Sequence, residues 1–239
     1  MKYSIDYTTR WHDTDACRRV RPSALLVYMQ ETSNRHVAST GVSLDRLRDE
    51  KGLAFILSKI RFSIIRPLAA FEDITVETFT APSKGFSSLR CFRVLSGGEV
   101  VAEADTVWAL VDIRDRRLCT MGESGYEFED EAPLDITLPV RTRMPKGVTP
   151  QVVGQRKIVY SDLDYNMHMN NTRYPDMLCD FLPFDRLGDI KGMTLSYVRE
   201  AAFGDTLTVE RAEHDGSYYF RTLNSCGEVC LEAVVSFGG

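Results

Sequence analysis

The chain contains two copies of one sequence pattern, and this duplication limits the folds open to it. Ala69-Ala-Phe-Glu-Asp73 recurs as Ala201-Ala-Phe-Gly-Asp205, and Phe92-Arg-Val-Leu95 recurs in the same order as Phe220-Arg-Thr-Leu223. An internal repeat makes each copy one structural unit. We therefore expect two tandem modules of roughly 100–130 residues each.

Each copy has the same order of predicted elements. A short strand (3–10, then 152–160) leads into a polar segment and then a helix. Arg21-Pro-Ser23 opens this helix in the first copy, and Asn170 or Asn171 caps it in the second. The apolar stripe of the second helix consists of Tyr174, Met177, Leu178 and Phe181. Runs rich in β-branched and aromatic residues predict further strands at 53–65, 73–80, 86–96 and 99–112, and at 192–200, 206–213, 217–224 and 228–237. One buried helix with an antiparallel sheet wrapped on it indicates the α+β class.

A stretch without periodicity, residues 122–150, separates the two copies. Its first half is acidic and its second half is rich in proline and basic residues, a composition typical of a linker. We therefore predict an N-terminal module at 1–121 and a C-terminal module at 151–239. Because tandem modules can pair within one chain, a monomer and a homodimer are both compatible with this division.

Charge and composition limit the classes of binding partner and the cell compartment that we expect for this chain. The formal net charge is -5 and the sequence pI is about 5.5, which argues against nucleic acid or an anionic membrane as the main partner. There is no apolar signal core and no run of about 18 apolar residues, so we expect a cytoplasmic protein without a membrane span. The six cysteines form no CxxC pair and the four histidines are scattered. These patterns predict reduced thiols, no metal site and no cofactor.

The segment Tyr160–Tyr174 contains the densest set of chemically active side chains. Asp164, Asn166 and His168 occupy every second position, which would place them on one side of an extended segment. A carboxylate, an amide and an imidazole that converge on one point indicate chemistry on a carbonyl group.

The corresponding segment of the first copy lacks two of these groups. The repeat places Asp15 opposite Asp164, but it places Cys17 and Arg19 opposite the asparagine and the histidine. The neighbouring arginines would favour a Cys17 thiolate, yet no base accompanies it. We therefore expect the first copy to be non-catalytic.

Several motifs resemble the acyl-acyl carrier protein (acyl-ACP) thioesterases of the plant and bacterial type. In chain order they are Met29-Gln-Glu-Thr32 with His36, Arg66-Pro67, Ser161-Asp-Leu-Asp164 with Asn166, His168 and Tyr174, and Tyr197-Val-Arg-Glu200. The resemblance covers most of the chain. It implies a double hotdog fold, in which the second module is catalytic and the first shapes an acyl pocket. It also implies hydrolysis of fatty acyl-ACP thioesters to free fatty acid and holo-ACP.

The same resemblance makes Asp164, Asn166, His168 and Glu200 the candidate catalytic residues. Either Glu200 is the general base, provided that it is partly buried, or His168 is the base and Glu200 orients it. Asn166 would donate a hydrogen bond to the oxyanion, and Asp164 would hold its neighbours. Many relatives have a cysteine directly after the glutamate. This chain has Ala201, which excludes a cysteine nucleophile at that position.

Each of these residues also has a plainer explanation. Asp164 is a common turn residue, Asn166 is suited to loop hydrogen bonds, and His168 could be structural. Glu200 follows Arg199 and could form a surface ion pair with it.

Two further sets of residues are predicted to contact the substrate. The candidate acyl-pocket residues are apolar and equally at home in an ordinary core: Leu25, Met29, Phe55, Leu57 and Trp108. An acidic carrier protein requires basic contacts, for which the candidates are Arg18, Arg19, Arg21, Arg141, Arg143 and Lys146. Solvated surface explains both arginine clusters as well.

Two other functions are compatible with the sequence. One is an acyl-CoA thioesterase, which substrate kinetics would distinguish. The other is a non-catalytic module that binds an acyl chain or a carrier protein, and the complete Asp-Asn-His-Glu set argues against it. Chain-length preference depends on pocket depth, which residue types do not determine.

Overall fold

The computed structural model describes residues 2–41, 43–82 and 85–238. The chain divides into two compact units. The first comprises Met1–Ser58 and Ile65–Ile136, and the second comprises Lys59–Ile64 and Thr137–Gly239. The segment predicted as a linker is therefore shared, because residues 122–136 belong to the first unit and 137–150 to the second.

The first unit is an antiparallel sheet with a long helix packed against it. Its elements are β1 (Tyr3–Thr8), α1 (Pro22–Ser39), α2 (Leu44–Lys51), the first half of β2 (Leu53–Ile64), β3 (Asp73–Ala81), β4 (Ser87–Ser96), β5 (Glu99–Asp112), β6 (Arg117–Cys119) and α3 (Met121–Ser124). The strand order is β1-β3-β4-β5-β2, with β6 beside β5. Helix α1 packs against β1 and β3. The predicted long helix and strands of this copy are confirmed.

Helix α1 begins where the sequence predicts. Pro22 occupies the first helical turn, where its missing amide hydrogen has no helical partner to lose, and Arg21 before it is extended. Leu25, Met29 and Val37 are buried on one face at helical spacing. This face supplies the apolar contact between the helix and the sheet.

Helix α2 was not predicted, because it buries a single apolar side chain, Leu47. Its ends carry the only strong signals. The Ser43 side chain accepts a hydrogen bond from the Arg46 amide at 3.2 Å, and Gly52 ends the helix with φ 69°. A helix with one buried residue has too little periodicity for a pattern search to find.

The segment 122–136 is packed rather than loose. Tyr126 is buried in the same cluster as Val37, Leu47 and Leu110. The Glu131 amide donates to the Thr80 carbonyl at 2.9 Å. The acidic composition of this segment therefore gave no sign that it completes the core of the first unit.

The second unit repeats the arrangement with a shorter helix. Its elements are the second half of β2, β7 (Gln151–Lys157), α4 (Tyr174–Cys179), β8 (Ile190–Tyr197), β9 (Thr206–His214), β10 (Ser217–Leu223) and β11 (Val229–Phe237). The strand order is β2-β8-β11-β10-β9-β7. Each unit thus combines an antiparallel sheet with a helix, and the predicted α+β class is confirmed.

Helix α4 is only six residues long, although its apolar spacing predicted a longer element. Asn170 caps a 3₁₀ turn before it, because its side chain accepts a hydrogen bond from the Thr172 amide at 2.9 Å. Pro183 lies shortly after the last helical residue and disfavours helical backbone at the residue before it. Tyr174 and Leu178 are buried, as the apolar spacing predicted.

The backbone hydrogen bonds show how closely the copies correspond. The Phe71 amide donates to the Thr9 carbonyl at 2.8 Å, and the Gly204 amide donates to the Ile158 carbonyl at 3.0 Å. The structural counterpart of Phe71 is therefore Gly204. The sequence repeat, which aligns Phe71 with Phe203, is shifted by one residue at this turn.

Two further expectations concern the whole chain. Among the described residues, no helix has both the length and the apolar character needed to cross a bilayer. All six cysteines are free, and Cys91, Cys119 and Cys230 are buried, in agreement with the predicted reduced thiols.

Candidate active site

The polar segment of the second unit is a tight loop. Leu163 and Met169 form an isolated bridge across it, and the Asp164 amide donates to the His168 carbonyl at 2.9 Å. Met167 has φ 66°, which reverses the chain between them. The three candidate side chains are therefore arranged around a turn, and not along the extended segment that their alternate spacing suggested.

Asp162 holds the base of this loop, a role that was not predicted from the sequence. Its buried carboxylate accepts from the Val159 amide at 2.9 Å and from the Arg156 guanidinium, and its carbonyl accepts from the Asn170 amide at 2.8 Å. The sequence repeat could have revealed this role, because an aspartate occupies the same position in both copies. Asp13 in the first copy likewise accepts from its own upstream arginine, Arg10.

The second half of the loop pairs with the chain that follows Glu200. His168 forms a bridge with Ala202, and the Met169 amide donates to the Ala201 carbonyl at 2.9 Å. This pairing brings His168 Nε2 to 3.2 Å from Glu200 Oε2. The structure therefore unites two residues that lie 32 positions apart in the sequence.

The surroundings of Glu200 bear on its role. Its side chain is 62% exposed, whereas that of His168 is 34% exposed. The partial burial on which a base role for Glu200 depended is therefore absent. Arg199 pairs with Glu228 at 3.1 Å, so the structure pairs Glu200 with His168 and not with its neighbour. A carboxylate that accepts from Nε2–H leaves the lone pair of the imidazole on Nδ1.

Asp164 acts on the backbone of the loop. Its Oδ1 accepts from the Asn166 amide at 2.8 Å, an arrangement typical of a turn-forming aspartate. Asn166 lies at the tip of the loop and is exposed. Asp164 thus fixes the position of the residue whose side-chain amide is the candidate oxyanion donor.

Buried side chains form the layer next to this site. Tyr197 donates through its hydroxyl to the Asn171 carbonyl at 2.9 Å and packs edge-on against Tyr174, with ring centroids 5.5 Å apart. Burial raises the pKa of both tyrosines, which keeps the phenols protonated. Cys230 lies 4.0 Å from the Glu200 carbonyl oxygen, and burial raises the pKa of its thiol, which disfavours the nucleophilic thiolate.

The loop of the first copy has the same backbone shape. Asp15 Oδ1 accepts from the Cys17 amide at 2.8 Å, the Asp15 amide donates to the Arg19 carbonyl at 2.9 Å, and Arg18 has φ 61°. Cys17 and Arg19 stand where the second copy has its amide and imidazole. The fold of the loop is thus independent of the candidate catalytic side chains.

The candidate acyl-pocket residues all belong to the first unit. Leu25, Met29 and Leu57 are buried, whereas Phe55 and Trp108 are partly buried. Phe55 stacks on Tyr126 with ring centroids 6.0 Å apart, and Trp108 Nε1 donates to Thr106 Oγ1 at 2.9 Å. Their assignment to a pocket stays a prediction.

The candidate docking residues, five arginines and one lysine, differ in their burial and in their hydrogen bonds within the protein. Arg21 is half-buried and its guanidinium donates to the Thr14 carbonyl at 2.7 Å, so it tethers its own loop. Arg18 is exposed and Arg19 is half-buried. In the second unit, Arg141, Arg143 and Lys146 are all exposed.

Comparisons with known proteins place this geometry in a class. A crystal structure of an acyl-ACP thioesterase from Bacteroides thetaiotaomicron aligns over 99% of this chain and 98% of its own, with a TM-score of 0.90 and 22% identity. The 12:0-ACP thioesterase from Umbellularia californica aligns over 99% of this chain and 97% of its own, with a TM-score of 0.86 and 20% identity. The expected double hotdog fold is thereby confirmed.

The family follows from the sequence matches. Residues 1–127 match the acyl-ACP thioesterase N-terminal domain and residues 149–237 match the C-terminal domain. The chain belongs to the acyl-ACP thioesterase family.

The chain spans about half the length of the curated relatives that it matches. A chloroplastic acyl-[acyl-carrier-protein] hydrolase from Cuphea viscosissima is 25% identical over 224 residues, which are 84% of this chain and 52% of the relative. A chloroplastic dodecanoyl-[acyl-carrier-protein] hydrolase from Cinnamomum camphora is 22% identical over 98% of this chain and 63% of its own length.

Proposed function

We propose that this protein hydrolyses fatty acyl-ACP thioesters to free fatty acid and holo-ACP, and that the loop of the second unit performs the reaction. The observation that carries the proposal is the 3.2 Å contact between His168 Nε2 and Glu200 Oε2. It occurs in a chain whose two halves match the two domains of the family.

His168 acts as the general base in this proposal. Glu200 accepts from Nε2–H and so holds the imidazole with its Nδ1 lone pair available for a proton. Nδ1 takes a proton from a water molecule as the water oxygen bonds to the thioester carbonyl carbon. The carbonyl π electrons move to oxygen, and the Asn166 side-chain amide donates a hydrogen bond to this oxyanion.

Collapse of the tetrahedral intermediate completes the reaction. The carbonyl re-forms, the carbon–sulfur bond breaks with its electron pair on sulfur, and the imidazolium returns its proton to the thiolate of the phosphopantetheine arm. Asp164 takes no part in proton transfer but holds Asn166 through its amide. The acyl chain binds to the first unit in this proposal, where its contacts are Leu25, Met29, Phe55, Leu57 and Trp108. We also place the protein in the cytoplasm, which the free thiols support.

Release of free fatty acid from acyl-ACP by the purified chain tests this proposal. The Asn166→Ala variant is expected to lose roughly 10²–10³ in kcat/KM, since one oxyanion donor is removed. Cys17→Ala, at the same position of the non-catalytic loop, is expected to retain wild-type turnover. Absence of release by the wild-type chain contradicts the activity, and wild-type turnover by Asn166→Ala contradicts the assignment to the second loop.

Measuring kcat/KM with acyl-CoA of the same chain length tests whether the protein prefers the carrier protein or coenzyme A. Preference for acyl-ACP in kcat/KM supports the proposed substrate. A large preference for acyl-CoA identifies the protein as an acyl-CoA thioesterase instead.

A further inference from the structure

Two large aromatic side chains of the first unit lie together on its surface. Trp11 is 65% exposed and Phe71 is 70% exposed, and their ring centroids are 6.2 Å apart. Stacked rings left in water retain apolar area that burial against a partner would remove. Exposed apolar clusters of this kind mark interaction sites.

Phe71 occupies a backbone conformation that bulky residues avoid. Its φ is 63°, in the left-handed region, where glycine is the usual residue. The second copy has Gly204 at the corresponding position, with φ 82° and the equivalent hydrogen bond to Ile158, the residue that follows β7. The first copy therefore keeps a strained phenylalanine where a glycine would satisfy the fold, and strain retained at an exposed position points to function.

The aromatic pair adjoins the arginine-rich loop. The Trp11 carbonyl accepts from the Thr14 amide and hydroxyl at 3.2 and 2.8 Å, and Thr14 forms a bridge with Val20 on the other side of that loop. Arg18 and Arg19 lie between these two bridge residues, and Arg18 is exposed.

The local charge is opposite in sign to that of the whole chain. Residues 9–21 and 66–72 contain five arginines and three carboxylates, although the formal net charge of the protein is -5. Those carboxylates are engaged within the fold. Asp13 accepts from Arg10 and Tyr28, Asp15 accepts from its own loop backbone, and Glu72 accepts from Arg66. The region therefore presents net positive charge to a partner.

We propose that Trp11, Phe71, Arg18 and Arg19, here called the aromatic–arginine patch, form the docking surface for the acidic carrier protein that presents the acyl chain. This inference rests on the proposed function. The two rings supply an apolar anchor, and the two guanidinium groups complement the partner's negative charge. The loop that carries His168 in one copy thus has a recognition role in the other.

The test compares two substrates with the same acyl chain, acyl-ACP and acyl-phosphopantetheine, which lacks the protein. Phe71→Gly and Arg18→Glu are expected to lower kcat/KM for acyl-ACP by about tenfold or more through KM. Both variants are expected to hydrolyse acyl-phosphopantetheine at the wild-type rate. Phe71→Gly also relieves the backbone strain, so its Tm is expected to equal or exceed that of the wild type.

Two matched variants serve as controls. Phe184→Ala removes another aromatic residue that is 70% exposed, and Arg116→Glu reverses the charge of another exposed arginine, one with φ 53°. Both are expected to leave acyl-ACP turnover unchanged. The inference is overturned if the patch variants match these controls, or if they slow both substrates equally.

A binding measurement separates this inference from the proposed function. Fluorescence anisotropy of labelled holo-ACP measures docking even if the wild-type chain hydrolyses no thioester. Weaker binding to Phe71→Gly than to wild type supports the patch. Equal binding overturns it, and so does a change from dimer to monomer with unchanged affinity, which would assign the patch to contact between copies of this chain.

Discussion

At the scale of single residues, the most unusual environment outside the candidate site is that of Arg90. Its side chain is only 7% exposed, and its Nη1 donates to His36 Nδ1 at 3.0 Å and to Thr78 Oγ1 at 3.2 Å. No carboxylate among the described residues pairs with it. Its guanidinium lies over the Phe128 ring, 5.2 Å from the centroid, so an aromatic face and a neutral imidazole stabilise the charge.

This arrangement makes His36 an acid-sensitive element. Burial and the adjacent Arg90 charge lower the pKa of His36 from 6.5 to about 4. The unfolded chain therefore binds this proton at higher pH than the folded chain. The contribution to stability is fully present above pH 6.5, falls as the pH drops from 6.5 towards 4, and amounts to at most about 3 kcal/mol.

Urea unfolding between pH 7 and 4.5 tests this dependence. The wild-type free energy of unfolding is expected to fall more steeply over this range than that of His36→Gln, which has no titrating ring. Parallel slopes for the two proteins would contradict the assignment.

Residue identity was predictable at the candidate site, whereas residue geometry was not. The sequence motif singled out His168 and Glu200, but their contact depends on the bridge between His168 and Ala202, which joins distant segments. The alternate spacing suggested an extended segment because it carries no information about the left-handed backbone of Met167. The exposure of the Glu200 side chain could not be predicted from the sequence either, since it depends on which residues pack around it.

At the scale of elements, close strand packing in the second unit depends on Gly192. This residue lies in β8 opposite Ser63 of β2, and a Cβ at its position would come within 2.4 Å of the Phe62 carbonyl oxygen and 2.7 Å of Leu138 Cδ1. The backbone oxygen cannot move without disturbing the β2–β8 pairing.

Gly192→Ala is therefore expected to destabilise the protein by about 1–3 kcal/mol. Chemical denaturation measures the change. Gly122→Ala is the matched control, because a Cβ there meets no atom within 4 Å, and it is expected to be neutral or slightly stabilising in helix α3. Equal stability of the two variants would show that the strands separate easily at this point.

The elements also show which signals a sequence carries. The strands and α1 were predictable because their apolar residues recur at strand or helix spacing over many positions. Helix α2 was missed because only Leu47 is fully buried, and α4 was predicted too long because Phe181 continues the apolar spacing beyond the helical end. Composition likewise suggested a linker where Tyr126 is part of the first unit's core.

At the scale of the whole molecule, duplication accounts for the division of roles that we propose for the two copies. In both copies an aspartate, Asp15 or Asp164, accepts a hydrogen bond from the amide two residues later and gives the loop the same backbone shape. This shape is therefore a property of the repeat. Only the second copy carries an amide and an imidazole on this loop, those of Asn166 and His168, with the Glu200 carboxylate beside them. The first copy has Cys17 and Arg19 at the corresponding positions, which leaves that loop available for the proposed recognition of the carrier protein.

In the proposed mechanism His168 is the base and Glu200 acts through it. The most direct test is kcat/KM for acyl-ACP in His168→Ala, Glu200→Ala and the double variant. His168→Ala is expected to lose roughly 10³-fold, in the range for removal of a general base. Glu200→Ala is expected to lose clearly less, and the double variant no more than His168→Ala, because the two residues act as one unit. A loss in Glu200→Ala equal to or greater than that in His168→Ala would contradict the assignment of His168 as the base.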